Sequence, residues 1–219
     1  MNEKKINIDW KIAWGNNHFR RNIFFSLALL LIIAFTAPFF FNYIEKRNGI
    51  QLHDPILNIL PVYDVSIPIF TILWLTFILA LIRSIQSPGF FVLFTTGYCI
   101  LCFSRLLSIT LVALNPPPAI IELTDPLTTI FYGNHFISKD LFYSGHTGTL
   151  FLMAFCFTKP ADKIISFIAA AIVAVLLLIQ HVHYTIDILF APLFSWINFW
   201  IAKKSLPNIF NQKASPNWK

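Results

Sequence analysis

Two histidines and an aspartate stand where polar groups are costly. Ser144-Gly145-His146-Thr147 and His183-Tyr184-Thr185-Ile186-Asp187 each lie at the end of a long apolar run, where a polar side chain needs a reason. His183 and Asp187 are four residues apart, so on a helix they share a face, about one turn from each other. A carboxylate so placed fixes the tautomer of an imidazole and stabilises the imidazolium, as the orienting pair of a Ser-His-Asp triad does. The other ring nitrogen of His183 is then available as a nucleophile or base. Ser144 can cap a helix that starts at Gly145, and Gly145 permits close backbone approach. The first turn of such a helix presents unpaired N–H groups, a ready place for a phosphate. A histidine there, His146, could protonate a leaving oxygen; a capping serine followed by an interfacial histidine would fit this stretch equally well.

The elements that must position these groups are set by composition. The chain has 219 residues, of which 57% are hydrophobic and 12% charged, with a mean hydropathy of +0.68. Soluble domains carry about 25% charged residues, so an integral membrane protein is expected. Taking roughly 20 apolar residues per crossing, the sequence predicts six helical spans at 22–43, 66–84, 90–113, 141–158, 163–182 and 184–202. The expected fold class is all-α: one six-helix membrane domain over 22–204, with an N-terminal segment 1–21 and a tail 205–219. The first apolar run is too long for a signal sequence and has no clean cleavage site, so it reads as an anchor.

Six spans put twelve of the sixteen Lys and Arg on one side, among them Lys4, Lys5, Arg20, Arg21, Arg83, Lys163, Lys203 and Lys219. The positive-inside rule then makes both termini cytoplasmic. The net charge of +6 is mostly a topology signal, and its scatter over tails and short turns argues against a nucleic-acid partner. The opposite side holds Glu45, Asp54, Asp64, Glu122, Asp125 and Asp140 in two long, proline-bearing connections, about 44–65 and 114–140. Long loops on one face of a bundle are where a site is usually built, and His146, His183 and Asp187 emerge at that face. Cys99, Cys102 and Cys156 are intramembrane and read as small packing residues.

The pairing of Asp140-x3-Ser144-Gly145-His146-Thr147 with His183-Tyr184-Thr185-x-Asp187-Ile188 resembles the sphingomyelin synthase family, within the type 2 phosphatidic acid phosphatase superfamily. Lys139 stands where that family usually has Gly, and Arg105 to Pro118 resembles a third motif. The stretch Asp54 to Asp64 resembles the family's proline-rich early loop only weakly. Pro192, Trp196, Phe199 and Trp200 replace the Tyr and Tyr-His that follow the Asp in the family's second signature. The resemblance implies a triad of His146, His183 and Asp187. In it His183 attacks phosphorus, oriented by Asp187, and His146 protonates the departing diacylglycerol oxygen before deprotonating the incoming hydroxyl. It also implies a phospholipid donor, a ceramide or diacylglycerol-type acceptor, no cofactor, and a site on the non-cytoplasmic face. The membrane would be the inner membrane in a bacterium, or the Golgi or plasma membrane in a eukaryote.

The superfamily's phosphatases add a Lys-x6-Arg-Pro motif and an Arg six residues before the nucleophilic His. Here that position is Leu177, no Lys-x6-Arg-Pro occurs, and Arg105 is the intramembrane cation. A phosphomonoester, close to a dianion, benefits from several cationic clamps, so so few cations suit a phosphodiester. Headgroup transfer is therefore expected over phosphatase action, with water as the rival acceptor. Arg105 is the candidate phosphate partner; snorkelling or helix pairing is its plainer role. Asp140, Ser144, Gly145 and Thr147 complete the candidate substrate site. Tyr143 and Tyr184, which flank the histidines, are candidates for holding a quaternary ammonium by cation–π contact. A zinc hydrolase built on His146, His181, His183 and Asp187 lacks a Glu base and a third well-spaced His, so no metal is expected. Self-association into a homo-oligomer is left open.

Overall fold

Apolar runs bounded by caps and prolines become helices here, and no strand occurs among the described residues. The structure is a computed structural model, which describes residues 10–124 and 137–206. Lys4, Lys5, Asp125, Pro126, Lys213 and Lys219, and with them most of the expected terminal segments, lie outside the described residues. A short helix α1 (Trp10–Gly15) leads into α2 (Asn17–Lys46), capped by the Asn16 side chain, which accepts from His18 N at 2.8 Å. Helix α3 spans Ser66–Gln86. Helix α4 (Pro88–Leu111) opens with proline in its first turn and Ser87 as cap, the position where a missing N–H costs nothing. Helix α5 spans Gly145–Cys156, α6 spans Pro160–Ile179 and α7 spans Thr185–Ser205.

Five of these helices, α2, α3, α4, α6 and α7, are long and apolar enough to cross a membrane, which fits a multi-pass membrane protein. The expected span at 141–158 is the exception, because its helix has only 12 residues. At 1.5 Å per residue it extends about 18 Å against a hydrocarbon core of about 30 Å. Residues 141–144 are apolar enough to continue it, but other bonds hold their backbone in a bent, non-helical path. Phe142 N donates to Asp187 Oδ1, Ser144 N donates to Asp187 O, and Tyr143 O accepts from Arg105 Nε.

Helix α5 is the hub, packed by α4, α6 and α7, with α2 against α4 and α3 against α6. Small residues allow this: a Cβ on Gly97 of α4 would come 3.2 Å from Leu152 of α5. Where lipid removes the usual hydrophobic drive, such close approach and interhelical hydrogen bonds hold helices together. Ser195 Oγ of α7 donates to Gly148 O at 2.8 Å, and Ser166 Oγ of α6 donates to Leu150 O at 2.9 Å.

The helices alternate in direction. At one end Arg83 of α3 pairs with buried Asp162 of α6, and the Phe90 and Phe157 rings stack. The other end gathers the α2 and α4 C-termini, the start of α3, the end of α6 and the starts of α5 and α7. There a second hydrophobic cluster of Leu57, Leu114, Leu141 and Tyr184 underlies the loops. Gln180 ties those loops to the bundle: its Oε1 accepts from Val65 N, and its Nε2 donates to Ser66 Oγ and Glu122 O.

Candidate active site at the starts of two helices

Asp187 joins the two stretches that the sequence singled out. It sits in the first turn of α7, fully buried. Its Oδ2 accepts from Tyr184 N at 3.1 Å and lies 3.3 Å from Nδ1 of His183. Its Oδ1 accepts from Phe142 N at 3.2 Å, and its carbonyl accepts from Ser144 N at 3.2 Å. A carboxylate can only accept, so His183 Nδ1 carries the proton and Nε2 holds the lone pair. One side chain thus sets the tautomer of His183 and fixes the backbone leading to His146.

The α5 start is built differently. Ser144 caps it, its Oγ accepting from Thr147 N at 3.4 Å and meeting Thr147 Oγ1 at 3.2 Å; both residues are fully buried. Across this start lies the guanidinium of Arg105, six residues before the end of α4 and so about 9 Å below it. Nε donates to Tyr143 O at 3.1 Å and Nη2 to Asp140 Oδ1 at 2.6 Å. A Cβ on residue 145 would overlap Nη1 and Cζ of Arg105. In the observed position of the guanidinium only glycine fits here.

Asp140 is the anionic counterpart. Burial pushes its carboxyl up, but the charge and hydrogen bond of Arg105, with smaller contributions from His183 and His146, hold it below the ordinary value. Both histidines therefore lie within electrostatic reach of the same carboxylate. His146 is half-buried in the first turn of α5, its ring edge-on to Phe70 of α3 at 5.9 Å.

Tyr143 and Tyr184 are both fully buried. Tyr143 stacks on Phe194 at 4.6 Å and shares its hydroxyl with Ser104 and Asn198. The Tyr184 hydroxyl donates to Asn115 O and accepts from Leu52 N. Both rings act as framework here and offer no open face to a quaternary ammonium. His181 turns Nδ1 to Pro118 O at 3.2 Å, while its buried Nε2 has no hydrogen-bond partner. Among the described residues no group of three or more His, Cys, Asp or Glu side chains is placed to hold a metal ion. Phe142 (φ 51°) and His181 (φ 55°), two of the three non-glycine residues with positive φ among the described residues, lie in the turns before the two histidines. Such strain persists only where surrounding bonds over-determine it.

Residues 139–204 match the family described as PAP2 superfamily C-terminal. The match covers just under a third of the chain, and that third carries both histidines and Asp187. It supports the type 2 phosphatidic acid phosphatase superfamily. The match suggests a lipid enzyme of the phosphatase or phosphotransferase kind. No curated protein and no solved structure matches the chain.

The sequence reading did not find Asp54, Asn115 or Glu45, all of which hold this end together. Glu45 accepts from Ser138 N and Lys139 N, both at 2.7 Å, and so fixes the approach to Asp140. A carboxylate at a helix end facing a long polar loop was the available signal, but its partner lies 93 or more residues away.

Proposed function

We propose that the chain is a membrane phospholipid headgroup transferase. It moves phosphocholine or phosphoethanolamine from a glycerophospholipid to ceramide or a similar lipid hydroxyl. The observation that supports this most is the Asp187 joint, which gives His183 a fixed tautomer and sets it beside the helix that carries His146. The Nε2 lone pair of His183 attacks phosphorus as the bond to the diacylglycerol oxygen breaks, and His146 protonates that oxygen. The acceptor hydroxyl then loses its proton to His146 and attacks phosphorus, the N–P bond breaks, and both histidines are restored. The phosphate oxygens sit against the first turn of α5 and the Nη1 side of Arg105.

Charge favours a diester. Arg105 is already paired with Asp140, and two further cations at that end turn to carbonyls: Arg47 to Ile109 and Thr110, Lys139 to Arg47. A monoanionic phosphodiester suits such a site better than a dianionic monoester. The positive bias of the opposite end supports a site on the non-cytoplasmic face.

The test uses purified protein in vesicles with headgroup-labelled phosphatidylcholine or phosphatidylethanolamine, with and without ceramide. Label should move to ceramide, and His183→Ala should lower the rate by at least about 10³-fold. An acid-labile, base-stable phosphoryl adduct should form on the wild type and not on that variant. Release of the headgroup to water at a rate indifferent to ceramide would make the chain a hydrolase instead.

A further inference from the structure

The turn that carries His183 is held from outside by a loop more than 120 residues earlier in the chain. Asp54 sits in that loop, just before Pro55, and its carboxylate accepts four hydrogen bonds. Oδ2 accepts from Thr185 N at 2.6 Å, and Oδ1 from Thr185 Oγ1 at 3.0 Å, Ile56 N at 3.0 Å and Leu57 N at 3.3 Å. Thr185 is the first residue of α7 and lies two residues from His183. All four donors belong to the chain itself, so the carboxylate is engaged by the start of α7 and by its own turn. Its bonds outweigh the cost of burial and hold its carboxyl below the ordinary value, which keeps the acceptor charged.

The rest of the loop is pinned around the same turn. Leu52 N donates to the Tyr184 hydroxyl at 3.2 Å, and that hydroxyl donates to Asn115 O at 3.0 Å. Asn115 in turn exchanges two bonds with Gly49: Nδ2 donates to Gly49 O, and Gly49 N donates to Asn115 Oδ1. A Cβ on residue 49 would overlap the Leu114 backbone. Leu57 is buried beside Leu114, Leu141 and Tyr184.

We infer that Asp54 is a positioning residue for His183, and that the 49–57 loop is a brace holding the nucleophile's turn in register with Asp187. Asp187 fixes the ring of His183 from inside the bundle; Asp54 fixes the backbone beside it from outside. A nucleophile displaced by about 1 Å loses about 10²-fold in rate, so the brace acts on the chemical step and leaves binding alone.

Two measurements on the full-length protein in vesicles test this, and the kinetic one rests on the transferase reading. Asp54→Asn should raise amide hydrogen exchange across 183–186 about tenfold or more, with exchange in α4 and α6 unchanged. In headgroup transfer from labelled phosphatidylcholine, the same variant should lower kcat by about 10- to 100-fold with KM within about twofold. Thr185→Val should lower kcat in the same direction, and Thr185→Ser should retain it. Unchanged exchange at 183–186 in Asp54→Asn overturns the brace, and so does a raised KM at constant kcat, which would put Asp54 on the substrate. If wild-type protein transfers no headgroup, the transferase reading fails, and the exchange measurement still decides the brace by itself.

Discussion

Helix α7 starts beneath two carboxylates, whereas α5 starts beneath a hydroxyl and a guanidinium. At α7 the Tyr184 and Thr185 N–H groups go to Asp187 and Asp54. That end is therefore closed to an anion: its donors are used and negative charge already sits on its dipole. At α5 the cap is neutral Ser144, no acidic residue stands in the first turn, and Arg105 packs over Gly145. On the proposed function, one helix start holds a histidine still and the other receives negative charge. Two starts of the same kind would then compete for the phosphate or leave His183 loose.

The largest expected effect comes from loosening the histidine side. Asp187→Asn puts an amide N–H₂ where Tyr184 N, Phe142 N or His183 Nδ1 now donates, and it frees the wrong tautomer of His183. Transfer should fall by about 10³- to 10⁴-fold, measured as kcat on protein that still elutes as a single folded species. A loss under tenfold would mean that the two helix starts do not differ in the way described. On the anion side, Gly145→Ala drives a Cβ into Arg105. It should lower kcat/KM about 10²-fold, and Arg105→Lys should not restore the loss, because lysine lacks the planar fork. If Gly145→Ala is silent, the guanidinium does not serve the phosphate.

What was legible in the sequence follows the range of the interactions. The His183–Asp187 pair and the Ser144 cap are four and three residues in span, so local periodicity finds them. The all-helical class and five of the spans follow from apolar length alone. The Arg105–Asp140 pair, 35 residues apart, and the Asp54–Thr185 clamp, 131 apart, need the packed bundle to become visible. The shortness of α5 was hidden for the same reason. Leu141, Phe142 and Tyr143 read as span, and only the bonds from Arg105 and to Asp187 show why the helix waits for Ser144. Tyr143 and Tyr184 read as candidates for holding a quaternary ammonium because sequence position cannot reveal that Phe194 and Asn115 already engage them.

Acid stability tests the two loop carboxylates. Asp54 and Asp140 both have pKa values held below the ordinary 3.8. A depressed carboxylate contributes stability that is present above its ordinary value and lost only as pH falls through the lower one. Neither therefore titrates between pH 5 and 7. Thermal stability in vesicles should be flat across that window and fall below about pH 4, and Asp54→Asn and Asp140→Asn should each lower it within the window and shrink the acid fall. An acid fall of unchanged size in both variants would mean that neither carboxylate holds this end together.

The smallest effect is expected at the hydroxyl of Ser144, and its smallness is informative. In this structure the hydroxyl is fully buried and bonded to Thr147 N and Oγ1, so it is engaged in capping the helix. Ser144→Ala then costs about 1 kcal/mol of cap stability, and the rate should change by no more than about fivefold, the factor that energy corresponds to. The measurement is kcat beside thermal stability in the same vesicles. A fall of about 10²-fold at unchanged stability would show the hydroxyl reaching the phosphate. The α5 start would then bind through its cap as well as through Arg105, and the division between a holding helix and a receiving helix would rest on one more residue than the resting geometry shows.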